Sequence, residues 1–168
     1  NLYGSTTSTT SASFTASDTI VCVGSSLTFV STSISSLGPL DSIRWTSLGS
    51  TPTTANTTSF TTTFNTVGTY NVTLTIYKDG VIRSAVKSIQ VKALPTVAAI
   101  TGNTTVCLNS TRTLNNSTPN GTWFSTNTSV ATINSNGVVS GLSVGTSTIT
   151  YTVTSNGCSK SVSTIITV

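Results

Sequence analysis

Apolar residues alternate with small polar residues along much of this chain, at the two-residue period of a β-strand. The clearest stretch is residues 70–77, whose aliphatic positions are Val72, Leu74 and Ile76. Asp79-Gly80 follows, a dipeptide typical of a tight hairpin turn, and residues 81–91 return as the predicted partner strand. Shorter alternating stretches occur at residues 26–30 and 43–45, and no helical period is sustained. The pattern therefore predicts an all-β fold.

A second group of strands follows Pro95, which cannot donate a hydrogen bond to a sheet and therefore marks a boundary. Its predicted strands are residues 96–100, 111–114, 122–124, 130–133, 138–139, 148–153 and 162–168. Turns are predicted at residues 134–137 and 155–157, where a glycine can adopt a positive φ. Short strands separated by turns are typical of antiparallel sandwiches. We predict two sandwiches in tandem, at residues 12–92 and 93–168.

The chain begins with a Thr/Ser tract, residues 1–11, that contains one glycine. Such a composition is typical of a mobile arm or linker. The alternative interpretation is an edge strand that pairs with a neighbouring domain or subunit. The sequence leaves both open.

Three features of the first predicted sandwich occur together: VGTYNVTLTI at residues 67–76, VCVGSSLTF at residues 21–29, and Trp45. With these features, residues 12–92 resemble a polycystic-kidney-disease (PKD) type immunoglobulin-like domain. The resemblance implies that Trp45 is a core residue. It also implies a tyrosine corner at Tyr70, whose hydroxyl would hydrogen-bond back across the preceding loop.

The second predicted sandwich contains TWFSTN at residues 122–127, SVATI at 129–133, GVVSG at 137–141 and GTSTITY at 145–151. With these motifs, residues 95–168 resemble the group 2 bacterial immunoglobulin-like domain. The resemblance implies core positions for Trp123, Val130 and Tyr151. Together the two resemblances imply tandem immunoglobulin-like sandwiches, as in repeat modules of secreted surface proteins and adhesins of Bacteroidota, with a binding or spacer role.

The composition excludes most catalytic chemistry. Of 168 residues, 39 are Thr and 29 are Ser, whereas there are three Asp and no Glu, His or Met. The usual general bases and the commonest metal ligand are therefore missing, so we expect neither an enzyme nor a cofactor. The carboxylates of Asp18, Asp41 and Asp79 lie in separate predicted loops and turns, which favours neither a glycosidase pair nor a calcium site.

The net charge of +4 comes from seven dispersed Lys and Arg residues. Nucleic-acid binding requires clustered cations that neutralise several phosphates, so we expect no nucleic-acid partner. No apolar run approaches the roughly 18 residues of a membrane-spanning helix.

Three cysteines allow three single disulfide pairings. We expect Cys107 to pair with Cys158, because both lie in the second predicted sandwich. Cys22 would then be left over, either as a buried thiol or as a residue for an intermolecular bridge or a covalent attachment. A disulfide and a hydroxyl-rich surface fit an extracellular location.

Two short motifs, Asp18-Thr19-Ile20 and Asp41-Ser42-Ile43, resemble the O-glycosylation acceptor sequence of exported Bacteroidota proteins. Thr19 and Ser42 are therefore candidate glycan acceptors. Asn-x-Ser/Thr sequences also occur, for example at Asn71, Asn109 and Asn120, as expected by chance in so Thr-rich a chain.

We therefore expect a non-enzymatic, extracellular structural or adhesive module, whose partners are neighbouring copies or domains of the same protein. The alternative is a carbohydrate-binding accessory module of a secreted hydrolase. Its binding platform could include some of the aromatic side chains of Tyr3, Phe14, Phe60, Phe64 and Tyr77, although we expect most of these to fill the two cores. Alternating threonines such as Thr148, Thr150 and Thr152 are expected to form solvent faces of antiparallel sheets.

Overall fold

The computed structural model describes residues 9–168. The chain divides into two compact units, the first ending at Ala93 and the second running from Leu94 to Val168. Both are built from β-strands, and every strand pair but one is antiparallel. The prediction of an all-β fold with two antiparallel β-sandwiches in tandem is confirmed.

Residues 9–93 of the first unit form eleven strands. They are β1 (Thr10–Ser11), β2 (Phe14–Ala16), β3 (Ile20–Cys22), β4 (Ser26–Ser31), β5 (Ile34–Ser35), β6 (Ser42–Thr46), β7 (Ser50–Thr51), β8 (Thr54–Ala55), β9 (Ser59–Phe64), β10 (Gly68–Lys78) and β11 (Val81–Lys92). One sheet has the order β3-β11-β10-β6-β8, and the other has the order β2-β4-β9-β7. β3 pairs with β11 in parallel, and β1 pairs with β5 in a small separate sheet.

The long hairpin of β10 and β11 forms the middle of the larger sheet. Asp79 and Gly80 both have positive φ, 47° and 76°, which is the conformation a two-residue hairpin turn requires. The strands pair over their whole length, from Lys78 opposite Val81 to Gly68 opposite Val91. Their inward aliphatic side chains join the residues of the opposite sheet in one core: Phe14, Leu27, Phe29, Trp45, Phe60, Phe64, Val72, Leu74, Ile76, Ile89 and Val91.

The second unit contains six strands. They are β12 (Thr111–Thr113), β13 (Gly121–Ser125), β14 (Ala131–Ile133), β15 (Val138–Gly141), β16 (Thr146–Ser155) and β17 (Cys158–Thr167). The sheet β12-β15-β14 packs against the sheet β13-β16-β17. The buried residues between them are mainly aliphatic: Val106, Leu114, Val130, Ala131, Val139, Ile149 and Ile166.

Two local expectations differ from the structure. The predicted strand at residues 96–100 does not form. Instead, the backbone of Ala98 is held by side chains, because its N–H donates to Thr118 and its carbonyl accepts from Asn116. The predicted arm is also shorter, because Thr10 and Ser11 form β1 and pair with Ser35 and Ile34 of the same unit. The rest of the arm, residues 1–8, lies outside the described residues.

Candidate interaction surface

The sheet β13-β16-β17 turns one face outward, away from the core of the second unit. We call it the hydroxyl face, after the side chains that form it: Thr122, Phe124, Thr148, Thr150, Thr152, Thr154, Ser159, Ser161, Ser163 and Ile165. This surface arises because the inward positions of the same strands are taken by core residues, so the small hydroxyl side chains occupy the alternate positions. None of the ten residues carries a charge.

Hydroxyl groups on this face bind one another across the strands. The side-chain oxygens of Thr150 and Ser163 lie 2.9 Å apart. Two further pairs continue the row, Thr152 with Ser161 at 2.8 Å and Thr154 with Ser159 at 2.7 Å. Cross-strand hydroxyl pairs of this kind stabilise a sheet and fix its side-chain rotamers. The face is therefore regular and ordered as well as polar.

Two large apolar side chains stand on the hydroxyl face. Phe124 and Ile165 are each 61% exposed, and they lie on the two outer strands of the sheet. Phe124 is opposite Thr150, and Ile165 is opposite Thr148. An exposed aromatic ring beside hydroxyl groups offers both an apolar contact and hydrogen-bonding partners to a ligand.

The aromatic residues predicted for a binding platform lie elsewhere. Phe14, Phe60 and Phe64 are buried in the core of the first unit, as expected for most of these residues, so they are not part of a binding platform. Tyr77 is half-buried on the outer face of β10, and Tyr3 lies outside the described residues. Sequence reasoning missed Phe124, although its place between the inward Trp123 and Ser125 in an alternating strand is the signal for an outward side chain.

The four predicted core aromatics have different environments. Trp45 is fully buried, and its indole N–H donates to the Thr57 carbonyl at 2.8 Å. Tyr70 is half-buried, and its hydroxyl donates to the Thr66 carbonyl at 3.0 Å, the geometry of a tyrosine corner. Trp123 is half-buried and packs against Tyr151, with ring centroids 4.6 Å apart.

Tyr151 anchors the loop before β13. Its side chain is 6% exposed, and its hydroxyl donates to the Thr118 carbonyl at 2.7 Å while accepting from the Gly121 N–H at 2.9 Å. Gly121 has room for no side chain, because a β-carbon there would lie 2.2 Å from the tyrosine ring. The sequence alone does not show this contact, since the two residues are thirty positions apart.

The predicted pairing of Cys107 with Cys158 is wrong. Cys107 is an exposed free thiol and therefore does not bond to Cys158, and Cys22 is not the leftover thiol, because it is disulfide-bonded. Distance explains the failure. Val106 hydrogen-bonds to Thr167 at the end of β17, whereas Cys158 begins this strand, and ten β-residues span about 30 Å. A disulfide requires Cα atoms within about 7 Å.

The candidate glycan acceptors Thr19 and Ser42 both lie on the surface of the first unit. Thr19 follows Asp18, whose carboxylate accepts hydrogen bonds from the backbone N–H groups of Ile20 and Thr19, at 3.1 and 2.6 Å. These two bonds hold the pKa of Asp18 below its ordinary value. Ser42 begins β6, next to Asp41.

Asp41 belongs to a charged cluster beside the β10–β11 turn. Its carboxylate accepts from the backbone N–H of Asp79 at 2.7 Å and from the Lys78 ammonium at 3.2 Å. The hydrogen bond from Asp79, followed by the one from Lys78, lowers the pKa of Asp41. The pKa of Lys78 is raised by its hydrogen bonds to Asp41 and Asp79. The cluster fastens the loop before β6 to the hairpin turn.

Residues 9–168 bring together no group of three or more His, Cys, Asp or Glu side chains that could hold a metal ion. Within the same residues, no helix has the length and apolar character needed to cross a membrane.

Residues 85–164 match the family model of the bacterial Ig-like domain (group 2). The match begins within β11 of the first unit and ends within β17 of the second. No curated protein matches the sequence of the chain.

Several solved structures are similar to this chain. Invasin, a bacterial integrin-binding protein, matches with a TM-score of 0.48 and 21% identity over 93% of this chain and 38% of its own. BT4661, a SusE-like surface-located polysaccharide-binding protein of Bacteroides thetaiotaomicron, has a TM-score of 0.45 and 12% identity over 94% of this chain and 32% of its own. A structure of carbohydrate-binding modules from the β-sandwich superfamily matches with a TM-score of 0.45 and 16% identity, over 86% of this chain and 58% of its own. The chain thus spans less than two thirds of each of these three chains.

Proposed function

We propose that this chain is a non-enzymatic structural or adhesive module of an extracellular protein, such as a repeat of a surface adhesin, a stalk or a filament subunit. The observation that carries the proposal is the uncharged hydroxyl face, built on a sandwich with its own closed core. Such a surface can lie against polymers or neighbouring protein without the cost of burying charges. The family match at residues 85–164 supports an immunoglobulin-like module.

The finer assignments belong to the same proposal. The tyrosine corner at Tyr70 supports a PKD-type domain in the first unit. The exposed positions of Thr19 and Ser42 are compatible with O-linked glycans of a secreted Bacteroidota protein, and a glycan there would be seen as a mass increase on the corresponding peptides of the native protein.

Localisation of the native protein tests the proposed role. Immunogold electron microscopy should place it on cell-surface strands, on fibres or in other extracellular material. A cytoplasmic location, or turnover of a substrate by the purified chain, would refute the proposal.

We also propose that the start of the chain links neighbouring copies end to end by adding a strand to a sheet edge. Removing residues 1–8, which leaves β1 intact, should abolish end-to-end assembly without changing the circular-dichroism spectrum. Normal fibres from the truncated protein would contradict this part of the proposal while leaving the structural role intact.

A second candidate function is binding to a neutral polysaccharide, and the exposure of Phe124 favours it. On a glycan array, Phe124→Ala should remove binding, whereas Tyr77→Ala, on the first unit, should not. Equal binding by the Phe124 variant and the parent would exclude this face as the glycan site.

A further inference from the structure

β17 has an open edge along most of its length. One side of the strand pairs with β16 from Cys158 to Thr167. On the other side, none of the strands that the structure describes pairs with residues 159–165, and at the C-terminal end Thr167 donates to Thr104 and accepts from Val106. The edge from Ser159 to Ile165 therefore presents backbone groups that have no strand beside them.

The direction of these backbone groups follows from the hairpin. Ser155 and Cys158 flank the two-residue turn at Asn156-Gly157, so they form the first hydrogen-bonded pair of the ladder. Alternate residues of β17 then aim their N–H and C=O groups away from β16: Ser159, Ser161, Ser163 and Ile165. The N–H and C=O groups of Thr167 also point away from β16, and they form hydrogen bonds to the segment that contains Thr105.

The equivalent strand of the first unit, β11, is protected against pairing with a further strand. β11 carries Arg83 and Lys87 along the corresponding stretch, and β1 lies beside it. The Lys87 ammonium lies 5.6 Å from the centre of the Phe14 ring, across the opening at this edge. Charged side chains on an edge strand oppose the addition of another strand. The open stretch of β17 has one charge, Lys160, close to its beginning.

We propose that β17 pairs antiparallel with β17 of a second copy of this chain, about a two-fold axis at Val162. In this register Ser161 lies opposite Ser163, and Ser159 lies opposite Ile165. Four outward residues on each strand would form about eight backbone hydrogen bonds, two for each hydrogen-bonded pair. The two three-stranded sheets become one sheet, and their hydroxyl faces become continuous.

Charge and side-chain chemistry select a second copy and this register. Lys160 lies opposite the uncharged Thr164 of the other copy, so the two lysines do not face each other. The Ser161–Ser163 pairs repeat the hydroxyl contacts that β16 and β17 already make, such as Thr152 with Ser161. Val162 meets its own equivalent at the axis. The interface is closed, because the same edge serves both copies.

The inference rests on the proposed structural role, and sedimentation analysis of the full chain tests it separately. Cys107→Ser is used throughout, so that no disulfide can form through the exposed thiol. The parent should dimerise as its concentration rises. Ser161→Pro removes an outward N–H and the hydroxyl contact with Thr152 but leaves the backbone hydrogen bonds to β16, and it should abolish the dimer. Ser84→Pro, at an outward position of β11, is the matched control and should leave the dimer unchanged.

Folding of each variant is checked by circular dichroism and Trp123 fluorescence. If Ser161→Pro disturbs the fold, Ser161→Lys with Ser163→Lys replaces it, because this exposed pair places like charges opposite each other in the dimer.

A chain that stays monomeric at all concentrations overturns the inference, and so does a dimer that survives both variants. Loss of the dimer on removal of residues 1–8 also overturns it, because the start of the chain would then be the occupant. A surface location of the native protein is unaffected by any of these results.

Discussion

The two units close the same kind of sandwich with different side chains. The first fills its core with aromatic rings, and Trp45 lies at the centre, 5.1 Å from the Phe14 ring and 5.9 Å from the Phe60 ring between centroids. The second has an aliphatic core with its two large rings, Trp123 and Tyr151, beside one another. Both units also bury hydroxyl side chains: Ser47, Ser50 and Thr62 in the first, and Ser125 and Ser147 in the second.

The two buried serines of the second unit show how it satisfies polar groups in its core. Their oxygens lie 2.8 Å apart, the Ser125 hydroxyl donates to the Ala131 carbonyl at 2.6 Å, and the Ser147 oxygen accepts from the Asn127 N–H at 3.0 Å. A small sandwich can therefore be filled mainly by rings or mainly by aliphatic groups, provided that the total volume matches the space and most of the buried hydroxyl groups are hydrogen-bonded.

Both units contain the same local arrangement of a tyrosine and a glycine. In each, a tyrosine hydroxyl binds a carbonyl at an earlier position, and a glycine lies against the tyrosine ring. A β-carbon at Gly49 would lie 2.6 Å from the Tyr70 ring, and one at Gly121 would lie 2.2 Å from the Tyr151 ring. The contact with the ring, more than the identity of the core, is the feature that the two units share.

The tryptophans should give the largest difference between the units. Trp45→Ala removes a fully buried side chain and should lower the free energy of unfolding by about 3–5 kcal/mol. Trp123→Ala should cost less, because this side chain is half-buried. Urea unfolding followed by circular dichroism measures both. An equal or larger loss in the Trp123 variant would contradict the idea that the first unit depends more on its aromatic core.

The tyrosine hydroxyls should give a smaller difference. Tyr151→Phe leaves the Gly121 N–H and the Thr118 carbonyl without their shared partner in a partly buried place, which should cost about 1–3 kcal/mol. Tyr70→Phe should cost about 1 kcal/mol or less, because Thr66 is exposed and water can replace the hydroxyl. The same urea titrations compare the pair, and a reversed order would mean that the loop before β13 does not depend on its anchor.

Acid should produce the smallest effect, confined to the first unit. All three Asp residues lie there, and the chain has no Glu. Because the folded pKa values of Asp18 and Asp41 are lowered, the stability that they contribute is present above their ordinary pKa and is lost as the pH falls through the lower folded values. Lys78, with a raised pKa, loses its contribution only as the pH rises through a value above 10.5.

The acid effect can be assigned with the two tryptophans as reporters. Below about pH 4, unfolding seen by Trp45 should shift to lower urea concentration, whereas unfolding seen by Trp123 should not. Asp41→Asn should reduce the shift. A shift of equal size at Trp123 would show that the acid sensitivity has another source.

Local patterns predicted the parts of the fold that local chemistry determines. The β10–β11 hairpin was readable because alternation and an Asp-Gly turn occur within one continuous stretch. Residues 96–100 have the composition of a strand, but the hydrogen-bonding partners of Ala98 are side chains about twenty positions away. No periodicity in the sequence reports such a contact.

The disulfide and the hydroxyl face show the same limit. Membership of one sandwich was a poor guide to cysteine pairing, because Cys107 lies near the far end of the strand that Cys158 begins. Phe124 and Trp123 are adjacent aromatic residues, and which of them faces outward is decided by the pairing of β13 with β16. Alternation assigns the two residues to opposite faces, but the sheet register decides which face is buried.

The hydroxyl face has one consequence for the conditions in which this molecule can work. At 0.1 M ionic strength dissolved salt screens the interactions between charged surfaces over a length of roughly 10 Å, but rows of hydrogen-bonded threonine and serine carry no charge to be screened. Any contact that the molecule makes through this face should therefore hold equally well in dilute and in saline surroundings.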